Sequence, residues 1–144
     1  MWTSSEFDAL STKELYEILE LRVNVFVVEQ TCPYPELDGM DYDAIHIQYR
    51  EHGKLLAYCR VLPPGKYAEP SIGRVIVEES KRGSGLANDL MIRAVEETEN
   101  RYKESSIRLC AQAHLQSFYR RFGFETVSEE FLEDGIPHVY MIRN

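Results

Sequence analysis

The residues best suited to chemistry lie in one segment, Val75-Ile76-Val77-Glu78-Glu79-Ser80-Lys81-Arg82-Gly83-Ser84-Gly85-Leu86-Ala87. An apolar run that reads as a strand passes into a glycine loop, and the loop opens a helical pattern. A helix start presents unpaired N–H groups and a partial positive charge, which suits an anion. Glycine lets the backbone come within hydrogen-bond reach of phosphate oxygens with no Cβ in the way. Ala87 is small enough to keep that approach open, and Arg82 adds a charged donor. A lone Gly-Ser-Gly is equally a tight strand-to-helix turn with surface charge. Two other phosphate loops are excluded. No Gly-Lys-Ser/Thr follows at P-loop spacing, and Asn88 stands where a dinucleotide fingerprint needs its third glycine. What remains is Arg-x-x-Gly-x-Ala behind an apolar strand.

Other elements must hold this loop in place. Ser11-Thr12-Lys13-Glu14 reads as a capping box, followed by the helical stripe Leu15, Ile18, Leu19, Arg22 and Phe26, with Arg22 its polar interruption. Thr31 to Gly39 is a loop by its prolines and its Asp-Gly turn. Two alternating runs, Ala44 to Arg50 and Leu55 to Leu62, form a hairpin pattern around Glu51-His52-Gly53-Lys54. Pro63-Pro64-Gly65 breaks the chain before a strand over Ile72 to Val77. Leu86, Leu90, Ala94 and Val95 mark an amphipathic helix running towards Tyr102, and Ser106 to Cys110 is a strand. Leu115, Phe118, Tyr119 and Phe122 mark a short helix ended by Gly123. Phe124 to Val127 and His138 to Ile142 close the sheet as two final strands, joined across Asp134-Gly135-Ile136-Pro137. The pattern is α/β, a sheet covered by helices.

A chain of 144 residues, 44% hydrophobic and 28% charged, predicts a single domain over residues 1–144. No apolar run approaches the roughly 20 residues that cross a bilayer. Glu6 and Asp8 stand where a signal peptide needs basic residues, so the expected location is the cytoplasm, with no membrane partner. The formal charge of −8 argues against nucleic-acid binding and is compatible with a cationic acceptor. Cys32, Cys59 and Cys110 show neither metal nor disulfide spacing, so no metal is expected. Cys59 and Cys110 read as small buried hydrophobes.

The cradle motif resembles the pyrophosphate signature of the GCN5-related N-acetyltransferase (GNAT) superfamily. Gln112-Ala113-His114-Leu115-Gln116-Ser117-Phe118-Tyr119-Arg120-Arg121-Phe122-Gly123-Phe124 resembles that superfamily's second motif. Val25 to Gln30, Cys32-Pro33-Tyr34, Leu37-Asp38-Gly39, Gly73 to Val77, Ala111 to Gln116 and Glu133 to His138 are similar to its ElaA-like branch. The resemblance implies a GNAT fold, a mixed and mostly antiparallel sheet flanked by helices around a strand–pyrophosphate loop–helix–strand unit.

It also implies an acetyl-CoA-dependent N-acetyltransferase, with acetyl-CoA as co-substrate and a primary amine of a small molecule or peptide as acceptor. The alternative is a non-catalytic protein that binds or senses acyl-CoA. Dimers are common among such relatives, so a homodimer is an allowed assembly. In this superfamily Val75, Ile76 and Val77 would lie along the pantetheine arm, and one N–H there would steady the thioester oxygen as it becomes an oxyanion. Gly83, Ser84, Gly85, Leu86, Ala87 and Asn88 would meet the pyrophosphate with Arg82. Asn88 is a neutral donor where relatives often carry Lys, Arg or Ser. Gln112 stands where the wider superfamily often has Asn, and Ser117 and Arg121 would reach the adenosine side.

Tyr119 matches the tyrosine that protonates the departing thiolate in many relatives; it also shares a stripe with core aromatics. An ammonium acceptor must lose a proton, for which Glu29, Asp38, His46, His114 and His138 are candidates. Each has a structural use as well. Glu29 can pair at its helix end, Asp38 can shape a turn, and His46 can face solvent from a strand. His114 begins the short helix, and His138 opens a strand in a branch-specific segment, which makes it the first choice. Arg22 and Arg74 are expected to pair with acids, and Arg74 could also reach the acceptor pocket.

Overall fold

The computed structural model describes residues 1–103 and 106–144. Its elements follow the local chemistry closely. The Ser11 hydroxyl accepts from Glu14 N–H at 3.0 Å, and the Glu14 carboxylate accepts from Ser11 N–H at 2.9 Å. This capping box opens α1 (Thr12–Val23). A π-helical stretch, Asn24–Glu29, continues from it, and its wider turn aims Val25, Phe26 and Glu29 at the cleft described below.

β2 (Ile45–Glu51) and β3 (Lys54–Leu62) form the expected hairpin. His52 and Gly53 connect them with φ of 51° and 79°, the two left-handed residues that a tight hairpin turn requires. A strand absent from the sequence reading, β1 (Trp2–Glu6), pairs antiparallel with β2, and Trp2 packs on Tyr49 at 4.8 Å between ring centroids. β4 (Ser71–Val77) pairs with β3 and carries a bulge, since Tyr58 lies opposite Ile76 while Arg60 lies opposite Gly73. The extra residue falls at Arg74, whose φ is 53°.

α2 (Leu86–Tyr102) follows the glycine loop and buries Leu86, Leu90, Met91, Ala94, Val95 and Thr98. β5 (Ile107–Gln112) leads into the short α3 (Gln116–Arg120), and Gly123 reverses the chain at φ 89°. The last part of the chain differs from the expected pair of strands. β6 (Phe124–Thr126), β7 (Phe131–Glu133) and β8 (Ile136–Arg143) are three strands, and Asp134-Gly135 is the tight turn between β7 and β8.

The strands join one eight-stranded sheet in the order β1-β2-β3-β4-β5-β8-β6, with β7 on β8. All pairings are antiparallel except β4 with β5. Helices cover both faces. α2 and Tyr119 pack on the side of Ile47, Ala57, Cys59 and Leu109, while Ile18 of α1 packs with Leu55, Tyr58 and Ile76. His46 and Gln48 therefore lie under α1 and its following loop, fully buried, which corrects the solvent-facing placement expected for His46. Among the described residues no helix is long and apolar enough to cross a membrane.

Candidate active site

Among the described residues one strand pairing is parallel, β4 with β5, and it frames the candidate site. β4 and β5 are in register only at Ser71 and Arg108, where Arg108 N–H donates to Pro70 O at 3.0 Å. Beyond that point a cleft of about 740 Å³ separates the strands, lined by Gly73 to Val77 on one side and Leu109, Cys110 and Gln112 on the other. Main-chain groups that a neighbouring strand would normally engage are thereby left facing the cleft.

At one end the cleft meets the glycine loop. A cavity of about 280 Å³ is lined by Val77, Lys81, Arg82, Gly83, Gly85, Ala87, Asn88 and Arg121. Gly83 and Gly85 have φ of 80° and 88°, so a side chain at either would be strained, and Gly85 caps α2. The loop thus presents the N-terminus of a 17-residue helix beside three cations. Arg82 is steadied by donating from Nε to Val77 O at 3.1 Å and by pairing with Glu29 at 3.0 Å. Arg121 lies over the Phe118 ring at 5.4 Å and donates to the Asn88 side chain. Asn88 and Arg121, distant in sequence, are therefore one unit.

Two residues expected at the cradle, Ser84 and Leu86, and one expected at the adenosine side, Ser117, sit differently. Ser84 turns back to donate to Lys81 O at 2.5 Å, the Leu86 side chain enters the core, and Ser117 is exposed and lines neither cavity. Ser84 and Leu86 can contribute only through their backbone.

Tyr119, His114, Gln112 and His138 also line the cleft. Tyr119 is 8% exposed, in edge-to-face contact with Phe118 at 5.1 Å, so it belongs to the core and to the cleft wall together. Burial pushes its phenol above the ordinary range and keeps it protonated. Of the proton-accepting candidates, His46 is remote from the cleft: Nδ1 meets the Tyr58 hydroxyl at 2.7 Å and Nε2 meets Asp41 O at 2.9 Å. Burial, foremost among the influences on it, lowers its imidazole below the usual value.

Asp38 is also disqualified as a base. Burial alone would raise its carboxyl, but hydrogen bonds from Arg60 and from Met40 N–H hold it well below the carboxylate range. It forms the outer edge of a network whose centre, Arg22, Glu36, Asp41 and Arg60, is buried. Arg22, with no exposed surface, pairs with Glu36 at 2.9 Å and Asp41 at 2.6 Å, and Arg60 pairs with Asp38 at 2.6 Å and Asp41 at 3.0 Å. Arg74 joins through Glu36 and, at 3.6 Å, Asp38. Three arginines thus face three acids, as a half-buried arginine requires. Glu36 was not recognised in the sequence, because its partners lie 14 and 38 residues away.

His138 lines the cleft, as do Glu29, which pairs with Arg82, and the exposed His114. The Nδ1 of His138 is 2.7 Å from Ile136 O, which can only accept, so the proton sits on Nδ1 and Nε2 presents its lone pair. Cys110 departs from the buried-hydrophobe reading. It is only partly covered, lines the cleft, and donates to Glu133 at 3.2 Å. Burial and this bond push its thiol up to about 12. Cys59, by contrast, is a fully buried small hydrophobe.

The fold that carries this site is shared with solved acyltransferases. A crystal structure of an acyl-CoA N-acyltransferase from Pseudomonas aeruginosa matches with a TM-score of 0.95 at 46% identity, covering 100% of this chain and 99% of that one. The crystal structure of ElaA from Escherichia coli matches at 0.94 and 42%, with the same coverage. By sequence, Escherichia coli ElaA is 44% identical over 145 residues, 99% of this chain and 95% of that protein. Residues 20–144 match the family model for an acetyltransferase (GNAT) domain. The chain belongs to the GNAT acyltransferase family, in its ElaA-like branch.

Proposed function

We propose that this chain transfers an acetyl group from acetyl-CoA to the primary amine of a small molecule or peptide. The observation that carries this reading is continuity. Val77 and Arg82 line both cavities, so one path leads from the cationic cradle along the open edge of β4 to Tyr119 and His138.

On this reading the amides of the Gly83 to Asn88 loop, with Lys81, Arg82 and Arg121, hold the pyrophosphate. The free edge of Val75, Ile76 and Val77 holds the pantetheine arm by strand-like hydrogen bonds, and one N–H there receives the developing oxyanion. His138 Nε2 takes the proton that the ammonium group must lose before attack. As the C–N bond forms and the C–S bond breaks, the Tyr119 hydroxyl delivers its proton to the leaving thiolate, and the second proton shed by the new amide nitrogen restores the phenol. The buried Arg22, Arg60 and Arg74 network fixes the loop over residues 31–43 that walls the acceptor end.

Thiol release from acetyl-CoA, measured over polyamines, amino sugars, amino acids and peptides, tests the proposal. CoA release that depends on one class of amine supports it. Tight acetyl-CoA binding with no amine-dependent release across the panel favours the acyl-CoA-sensing alternative. If neither acetyl-CoA nor CoA raises the melting temperature, the cofactor assignment fails for both.

A further inference from the structure

Cys110, Glu133 and His138 present a sulfur, an oxygen and a nitrogen that all lie within 4.8 Å of one another. The strand register explains how residues so far apart in sequence meet. Cys110 lies opposite Tyr140, two residues from His138 on β8, and Phe131 lies opposite His138, two residues from Glu133 on β7. Side chains alternate along a strand, so all three share one face of the sheet. The Asp134-Gly135 turn holds the β7–β8 ribbon in that register.

The donor set has the features of a ligand set. Glu133 Oε2 is 3.2 Å from Cys110 Sγ and 4.0 Å from His138 Nε2. Around a tetrahedral zinc ion such donors lie about 3.3–3.8 Å apart, given bonds of about 2.0–2.3 Å. Modest side-chain rotation closes that difference. The imidazole is already oriented, because Nδ1–H donates to Ile136 O at 2.7 Å, the kind of bond that fixes a metal-binding histidine. All three residues line the cleft, which leaves a fourth position open.

We propose that Cys110, Glu133 and His138 bind a divalent ion of the zinc type. A thiolate and an imidazole favour zinc over magnesium or calcium, which prefer oxygen donors throughout. Binding replaces the S–H bond of Cys110 with a metal–sulfur bond and releases one proton, with no change of oxidation state. The sequence expectation of no metal rested on cysteine spacing, which cannot see a site assembled across three strands. The site also has a consequence that rests on the acyl-transfer reading above: an ion on His138 Nε2 occupies the lone pair assigned to the acceptor's proton, so zinc inhibits turnover.

Cobalt(II) titration of the chelator-treated full chain tests the site without reference to turnover. One equivalent is expected to produce a thiolate-to-cobalt charge-transfer band and tetrahedral visible bands, both displaced by zinc. Cys110→Ser is expected to abolish the charge-transfer band. Glu133→Gln, at a half-exposed side chain that the fold does not need, is expected to raise the cobalt Kd at least about tenfold. Absence of the band, its survival in Cys110→Ser, or an unchanged Kd in Glu133→Gln overturns the site. Where thiol release is measurable, inhibition by zinc that added amine relieves and added acetyl-CoA does not is expected. Saturation with zinc at undiminished turnover overturns the inhibitory role. A chain that binds cobalt as described yet releases no thiol with any amine would retain the metal site and lose the acyl-transfer proposal instead.

Discussion

Tyr119 belongs to the core and to the wall of the candidate site at once. Tyr119→Phe keeps the ring, so the melting temperature and acetyl-CoA affinity are expected to change little, while kcat falls on the order of 10²-fold. Steady-state kinetics beside a binding titration separates the two. The arginine network makes a different demand. Arg22→Met removes the fully buried cation between Glu36 and Asp41, leaving them only Arg74 and Arg60 as partners, and is expected to cost about 3–5 kcal/mol by urea denaturation. Asp38 and Asp41 are both held below the ordinary carboxylate range, Asp41 by Arg22 and Arg60 against the opposing effect of burial. The unfolded chain therefore takes up protons first as pH falls. Their contribution is complete above roughly pH 4 and declines below it. Urea midpoints measured down this range are expected to drop, and Asp41→Asn is expected to flatten the drop.

At the level of elements, what could be read in advance was what is local. The capping box, the His52-Gly53 hairpin and the loop that opens α2 each follow from a few adjacent residues. β1 was missed because Trp2-Thr3-Ser4-Ser5-Glu6 has little apolar character and is a strand only through pairing with β2. β7 is three residues long and exists by virtue of β8. Glu36 and the Cys110, Glu133 and His138 group were invisible for the same reason, since register across the sheet and loop closure bring them together. Motif resemblance points to Tyr119 and His138 as candidates, and only the fold shows what surrounds them. The cradle offers a test at this scale. Gly85→Ala forces a left-handed cap on a side chain that meets no atom within 4 Å, so the expected cost is roughly 1–2 kcal/mol from backbone strain alone. Acetyl-CoA affinity is expected to fall in the same variant while the KM for the amine is retained.

The molecule as a whole carries a formal charge of −8, yet Lys81, Arg82 and Arg121 converge on the mouth of the seam. On the proposed reading, cofactor binding weakens as salt is added, because exposed cations are screened within about 10 Å at 0.1 M ionic strength. A titration series in salt checks this. The seam itself has a wider meaning. A sheet ordinarily satisfies its backbone during folding, and this one leaves the inner edge of β4 waiting. The extended arm of acetyl-CoA would then act as a borrowed strand, and binding would complete the sheet late and reversibly. Hydrogen exchange is expected to show it: amides from Gly73 to Val77 slow markedly when acetyl-CoA is added, while those shared by β2 and β3 stay as they were. The place where this protein works would be the place where its fold is left unfinished.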